Sequence, residues 1–198
     1  MEELNTMLFL LINAPAHPAA GWLMVATFFA EQAIWLVPIS LLVGWFKGGE
    51  ETRKLMLQAA VAGLTGLLLN QLIGLVWQHP RPFMIGLGHT LIPHVADSSF
   101  PSDHLTLLWA VAGNFLLHAR TRRAGLFLSV LGIPVAWGRI YLGVHFPFDM
   151  VGAVAVAAQS AWLALWAQSW LINPLFRWIS RIYQFLFAPM IRRGWLLK

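Results

Sequence analysis

The chain contains no cysteine, so neither a disulfide nor a thiolate site can be part of it. It is poor in charge as well: 11% of its 198 residues are Asp, Glu, Lys or Arg, while 59% are hydrophobic. No Lys or Arg precedes Lys47. No internal repeat, low-complexity tract or long linker divides the sequence, which reads as one domain over 1–198. Nor is there a basic patch interleaved with stacking aromatics, so the pI near 10.5 is no nucleic-acid footprint.

What remains is membrane material. A mean hydropathy of +0.68 is too high for a soluble domain of this length. A spanning helix needs about 20 mainly apolar residues, and five stretches qualify: 19–46, 55–77, 101–118, 124–141 and 147–171. The third and fourth are short, which implies recessed or tilted ends. Residues 1–18 are expected to lie at the interface, because their apolar stretch is too short to span. Glu2 and Glu3 stand where a signal peptide would carry basic residues. The expected fold class is an all-α integral membrane protein, a bundle of about five transmembrane helices with a short N-terminal interfacial helix. Trp22, Trp45, Trp77, Trp137, Trp170 and Trp178 fall near helix ends, as an interfacial belt requires.

Charge sets the expected orientation. Lys47, Arg53 and Lys54 fill the first connection, and Arg120, Arg122 and Arg123 the third. Arg177, Arg181, Arg192, Arg193 and Lys198 populate the segment 172–198. The second and fourth connections hold only Arg81 and Arg139. By the positive-inside rule the N-terminus and those two connections face outward, and 172–198 is a basic cytoplasmic tail. Attraction to anionic lipid of the inner leaflet accounts for the basic face.

Three short stretches carry the chemistry, and the expected topology brings all three to the outer side. Arg81 is locked between Pro80 and Pro82; Pro101-Ser102-Asp103-His104 opens the third helix; Arg139 is followed by His145 and Asp149. Guanidinium offers a charged planar fork for phosphate oxygens, and a helix start supplies unpaired N–H groups and the positive dipole end. Arg81, Arg139 and Ser102 are therefore candidate phosphate ligands. His145 and Asp149 are four positions apart across a helix start, a spacing that lets the carboxylate fix the ring tautomer and free the other nitrogen to attack. His104, on the anion-binding helix start, is the candidate general acid. Asp103 beside it is expected to favour the protonated ring.

Four further residues are candidate substrate or accessory groups. His79, His94 and Asp97 lie in the second connection with His89, without the tight pairing of a metal site, so no metal and no cofactor is expected. Glu31 falls within an apolar span, where a carboxylate is costly unless protonated or partnered. Two readings stand: a functional group, or a neutral acid bonded to Asn70 or Gln71. Asn70, Gln71 and Asn114 also serve as interhelical polar contacts.

The pattern Arg81-Pro82, Pro101-Ser102-Asp103-His104, Arg139-x5-His145-x3-Asp149 resembles the type 2 phosphatidic acid phosphatase superfamily. The runs 94–100 and 139–145 resemble its bacitracin-resistance-type undecaprenyl-pyrophosphate phosphatases. The resemblance implies that His145 forms a phosphohistidine, that Asp149 orients it and that His104 protonates the leaving oxygen. It also implies that Arg81, Ser102, Asp103 and Arg139 form the phosphoryl site without metal. Three positions depart from the usual superfamily pattern: Gly74 stands in place of a Lys, Asp103 in place of a Gly, and Gly138 in place of a Ser. His79 or Gln78 is expected to supply the contact that the absent Lys would make.

The function so implied is removal of the terminal phosphate of undecaprenyl pyrophosphate, recycling a cell-wall carrier lipid in a bacterial cytoplasmic membrane. The partners implied are a polyprenyl diphosphate and membrane lipids, with no nucleic acid. The enzymatic alternative is a phosphatidylglycerophosphate or phosphatidate phosphatase, or a lipid phosphotransferase. The non-enzymatic alternative is a lipid- or metal-binding membrane protein.

Overall fold

The computed structural model describes residues 1–197; Lys198 lies outside the described residues. The described residues form helices and connecting turns, with no strand among them. Helix α1 (Glu2–Ile12) places Glu2 and Glu3 in its first turn, where acidic groups complement the dipole, and turns Asn5 and Phe9 inward at an i, i+4 spacing. Helix α2 (Ala20–Lys47) crosses the molecule with a π turn at Phe28–Gln32 and a 3₁₀ turn at Ala33–Trp35. Pro38 explains part of that irregularity, since it cannot donate to Ile34 and its ring crowds that carbonyl.

Helix α3 (Glu50–Val76) is followed by the long connection 77–102, then by α4 (Asp103–Leu116), α5 (Arg122–Tyr141) and α6 (Pro147–Trp166). Four helices, α2, α3, α5 and α6, are long and apolar enough to cross a membrane. With the all-helical fold they make the chain a multi-pass membrane protein. The expected third span, 101–118, is a helix but not one of these four. At 14 residues, α4 is about 21 Å long by helix rise, too short to cross a bilayer alone. It sits in the middle of the bundle against α3, α5 and α6, with Leu105, Leu108, Val111 and Phe115 all buried.

Small residues allow that close packing. Ala59, Ala62, Gly63, Gly66 and Asn70 line the inner face of α3. A Cβ on Gly66 would stand 2.8 Å from Thr106 of α4, and one on Gly132 of α5 only 2.0 Å from the Trp109 ring. This is the small-residue packing that membrane helices use in place of a hydrophobic driving force. The opposite faces expose Leu64, Leu68, Leu72, Phe127, Val130, Ile133 and Trp162, an apolar exterior suited to lipid.

Two boundary regions differ from the sequence expectation. Helix α3 begins at Glu50 and so absorbs Arg53 and Lys54, which the sequence places in a connection. Arg53 is no free interfacial cation. It is buried, donates to the carbonyls of Trp45 and Leu197 at 3.0 and 2.6 Å, and lies 4.4 Å above the Tyr183 ring. Residues 172–198 likewise are more than a basic tail: α7 (Asn173–Leu186) is amphipathic and buries Phe176 and Tyr183, and α8 (Ala188–Arg192) follows.

Candidate active site

His145 stands in the turn joining α5 to α6. That turn needs glycine at 143, where φ is +81° and a Cβ would meet the His89 carbonyl at 2.1 Å. Pro147 then opens α6, and Asp149 occupies its third position, folding back over the helix start. Its Oδ2 accepts from the Phe146 N–H at 2.8 Å, from His145 Nδ1 at 3.0 Å and from the Ser99 hydroxyl. Both His145 and Asp149 are 1% exposed. The carboxylate selects the tautomer with the proton on Nδ1 and leaves the Nε2 lone pair available. Burial first, then Arg139 and Arg81, hold the His145 imidazole well below its ordinary 6.5, so the ring is neutral.

Nε2 points at the arginines. Arg81, extended between its two prolines, brings Nη1 to 3.0 Å from His145 Nε2. Its fork is held from behind by the Val144 carbonyl at 2.8 Å, the Ser98 carbonyl at 3.3 Å and the Asp97 carboxylate at 2.8 Å. Arg139 comes from the last turn of α5, where its Nη2 lies 2.7 Å from His94 Nε2. Arg139 Nε and the Ser102 hydroxyl are both buried with no protein partner. Buried donors are normally paired; two unpaired beside a helix start and a second guanidinium are what a phosphoryl group would satisfy. His104, one position into α4, lies within electrostatic reach of Arg139, His94 and Arg81.

The catalytic candidates and Arg81, Ser102, Arg139, His94 and Asp97 thus gather at one end of the bundle. The remaining candidates, Asp103, His79 and Glu31, stand around this cluster with other partners. The Asp103 carboxylate accepts from Asn70 Nδ2 at 2.8 Å, so it braces α4 against α3. The protonated His104 ring expected from the neighbouring Asp103 charge is not what the free protein holds: consecutive helical side chains do not face each other, and burial, then Arg139, His94 and Arg81, push the His104 imidazole down to about 3. His79 packs edge-on against Trp77 and Phe146 with Glu2 at 3.4 Å, and with Gln78 it lines the cavity that Gly74 opens onto. Ser98 lies 3.4 Å from where a Gly74 Cβ would be. Glu31 sits on the π turn of α2 beside α5, where its charge reaches Arg139; Asn70 is engaged by Asp103 and Thr106 instead. His89 belongs to the cap of α1, its N–H donating to Asn13 Oδ1 at 2.7 Å.

Ser99 was not singled out from the sequence. It is fully buried and donates to Asp149. Its place two residues before Pro101, inside an otherwise polar run, was the available signal.

A helical bundle with a His–carboxylate pair facing two arginines at one end defines a membrane phosphatase class, and comparison with known proteins specifies it. The chain belongs to the PAP2 superfamily, whose pattern matches residues 55–173. It is 36% identical to YbjG of Escherichia coli strain K12, over 99% of this chain and 98% of that protein. It is 35% identical to the undecaprenyl-diphosphatase BcrC of Bacillus subtilis strain 168, over 96% of this chain and 97% of that one. The crystal structure of Aquifex aeolicus LpxE has the same fold, with a TM-score of 0.65 at 23% identity, covering 82% of this chain and 94% of that one.

Proposed function

We propose that the chain hydrolyses the terminal phosphate of undecaprenyl pyrophosphate, giving undecaprenyl phosphate and inorganic phosphate. The observation that carries the chemistry is the aim of His145 Nε2 at Arg81 while Nδ1 is bonded to Asp149. The near full-length likeness to a protein named undecaprenyl-diphosphatase supports the substrate. In the first step Nε2 attacks the terminal phosphorus and the bond to the bridging oxygen breaks. His104 delivers a proton to that oxygen as the lipid monophosphate leaves. In the second step His104 takes a proton from water, the water oxygen bonds to phosphorus, and the phosphorus–nitrogen bond breaks. Arg81, Arg139 and Ser102 hold the phosphoryl oxygens throughout, stabilising the charge that develops on them.

The site faces the outside of a bacterial cytoplasmic membrane, with the basic end of the bundle inside. Support for this comes from the distribution of Lys and Arg, all of which except Arg81 and Arg139 lie in the helix ends, connections and terminal segment at the other end. The test is phosphate release by purified protein from undecaprenyl pyrophosphate, phosphatidylglycerophosphate and phosphatidate in detergent. The lipid diphosphate should be turned over fastest, and His145→Ala should release none. Preference for either glycerolipid would assign the chain to a different lipid substrate.

A further inference from the structure

His94 is the side chain at this site that the reaction above leaves without a role. It projects from the connection between α3 and α4, half-buried, next to exposed Val95. Its Nδ1 lies 3.1 Å from the Val95 carbonyl and its Nε2 2.7 Å from Arg139 Nη2. One protonation state satisfies both contacts: the neutral ring with hydrogen on Nδ1, Nε2 accepting from the guanidinium. The ring centroid is 6.3 Å from that of His145, so the two imidazoles flank the same small space. His94 accepts from Arg139 Nη2, a donor for which a phosphoryl oxygen would compete.

The charge of the substrate gives that contact a consequence. A lipid diphosphate presents a second anionic phosphate on the leaving side of the bond that breaks. Among the described residues, Arg81 and Arg139 are the only Lys or Arg side chains at this end of the bundle. Arg81 is already shared with Asp97, and the usual Lys is replaced by Gly74. Both forks are committed to the phosphoryl group that is transferred. When that group reaches Arg139 it displaces Nε2 of His94. The freed nitrogen then stands beside a polyanion and takes up a proton, turning from acceptor to cationic donor. The groups facing the ring are Arg81, Arg139 and Asp97, with His104 and His145 across the site. Burial first, then Arg81 and Arg139, keep it neutral in the free protein, and the arriving diphosphate reverses that balance.

We propose that His94 is a specificity-determining residue that binds the departing phosphate of a lipid diphosphate once substrate has displaced it from Arg139. This rests on the diphosphatase reading above. The test compares farnesyl diphosphate with farnesyl monophosphate, which share a tail and differ by one phosphate, in wild type, His94→Gln and His94→Ala. His94→Gln keeps a neutral acceptor for Arg139 but cannot become a cation. Both variants should lose about 10- to 100-fold in kcat/KM on the diphosphate, the size of a lost charged hydrogen bond, with much smaller change on the monophosphate. Monophosphate turnover also reports that the variants are folded. The diphosphate preference should weaken toward high pH in wild type, as the imidazole cation becomes harder to form, and be independent of that titration in His94→Gln. An unchanged diphosphate-to-monophosphate ratio, whether both rates fall together or neither falls, overturns the inference and leaves the diphosphatase reading intact. Wild-type protein that does not hydrolyse the diphosphate overturns both.

Discussion

Ser99 and His145 together show how single residues set the chemistry. Asp149 orients His145 through one oxygen, and that oxygen is itself held by the Ser99 hydroxyl and the Phe146 N–H. Ser99→Ala removes one of three donors from a buried carboxylate; the hydroxyl also lies 3.4 Å from His145 Nδ1, so the change leaves the attacking Nε2 itself untouched. A buried hydrogen bond to a charged group is worth about 1.5–3 kcal/mol, so kcat should fall by roughly 10- to 100-fold with KM nearly unchanged. Steady-state kinetics checks this; an unchanged kcat would mean that Phe146 and the helix start position Asp149 unaided. The neutral state of His145 makes a second prediction. Its folded value is displaced downward, so on lowering the pH the free enzyme keeps its nucleophile past the point where an ordinary imidazole protonates. The acidic limb of kcat/KM assigned to His145 should therefore lie below 6.5. A limb at or above that value would contradict a buried, arginine-facing ring. The candidates for this site were legible because phosphate transfer needs a short list of residue types, and their order and spacing resemble those of a known superfamily. Ser99 was not, since a serine has many bland uses and only the fold shows that it meets Asp149. His94 was legible as a neighbour of the site, while its bond to Arg139 required the path of the 77–102 connection.

At the scale of elements, the helices follow from apolar runs, but their ends do not. Glu50 to Lys54 reads as a polar connection, yet it forms the first turn of α3, because Arg53 finds the Trp45 and Leu197 carbonyls and the Tyr183 ring. The pairing of Tyr183 with a residue 130 positions away has no local signature. Nor does the role of α4, which is too short to span alone and is central because glycines let its neighbours close around it. Gly132→Ala tests that packing. The added methyl meets the rigid Trp109 ring at 2.0 Å, and overpacking of this kind costs about 1–3 kcal/mol. Gly21→Ala, in a helix with nothing within 4 Å of the new atom, should instead be neutral or slightly stabilising by helix propensity. Thermal unfolding in one detergent should rank Gly21→Ala at or above wild type and Gly132→Ala below it. The reverse order would mean that α4 and α5 are not packed this closely.

The whole molecule has two unlike ends. One carries Arg81, Ser102, His104, Arg139 and His145; the other carries the basic residues of the connections and of α7 and α8. Charge distribution in the sequence indicated this polarity, and the fold brings the three motifs to one end as the alternating direction of the helices requires. A reporter fused after Lys198 should be cytoplasmic and one inserted near Gly88 should be external. The opposite result would put the site at the inner leaflet.

The central claim is covalent catalysis by His145. Protein incubated with undecaprenyl pyrophosphate labelled in its terminal phosphate, quenched at alkaline pH to preserve phosphoramidate and digested, should carry label on the peptide containing His145. The label should chase into inorganic phosphate and be absent from His145→Ala. Steady turnover with no labelled protein at any quench time, or label on another residue, would contradict it.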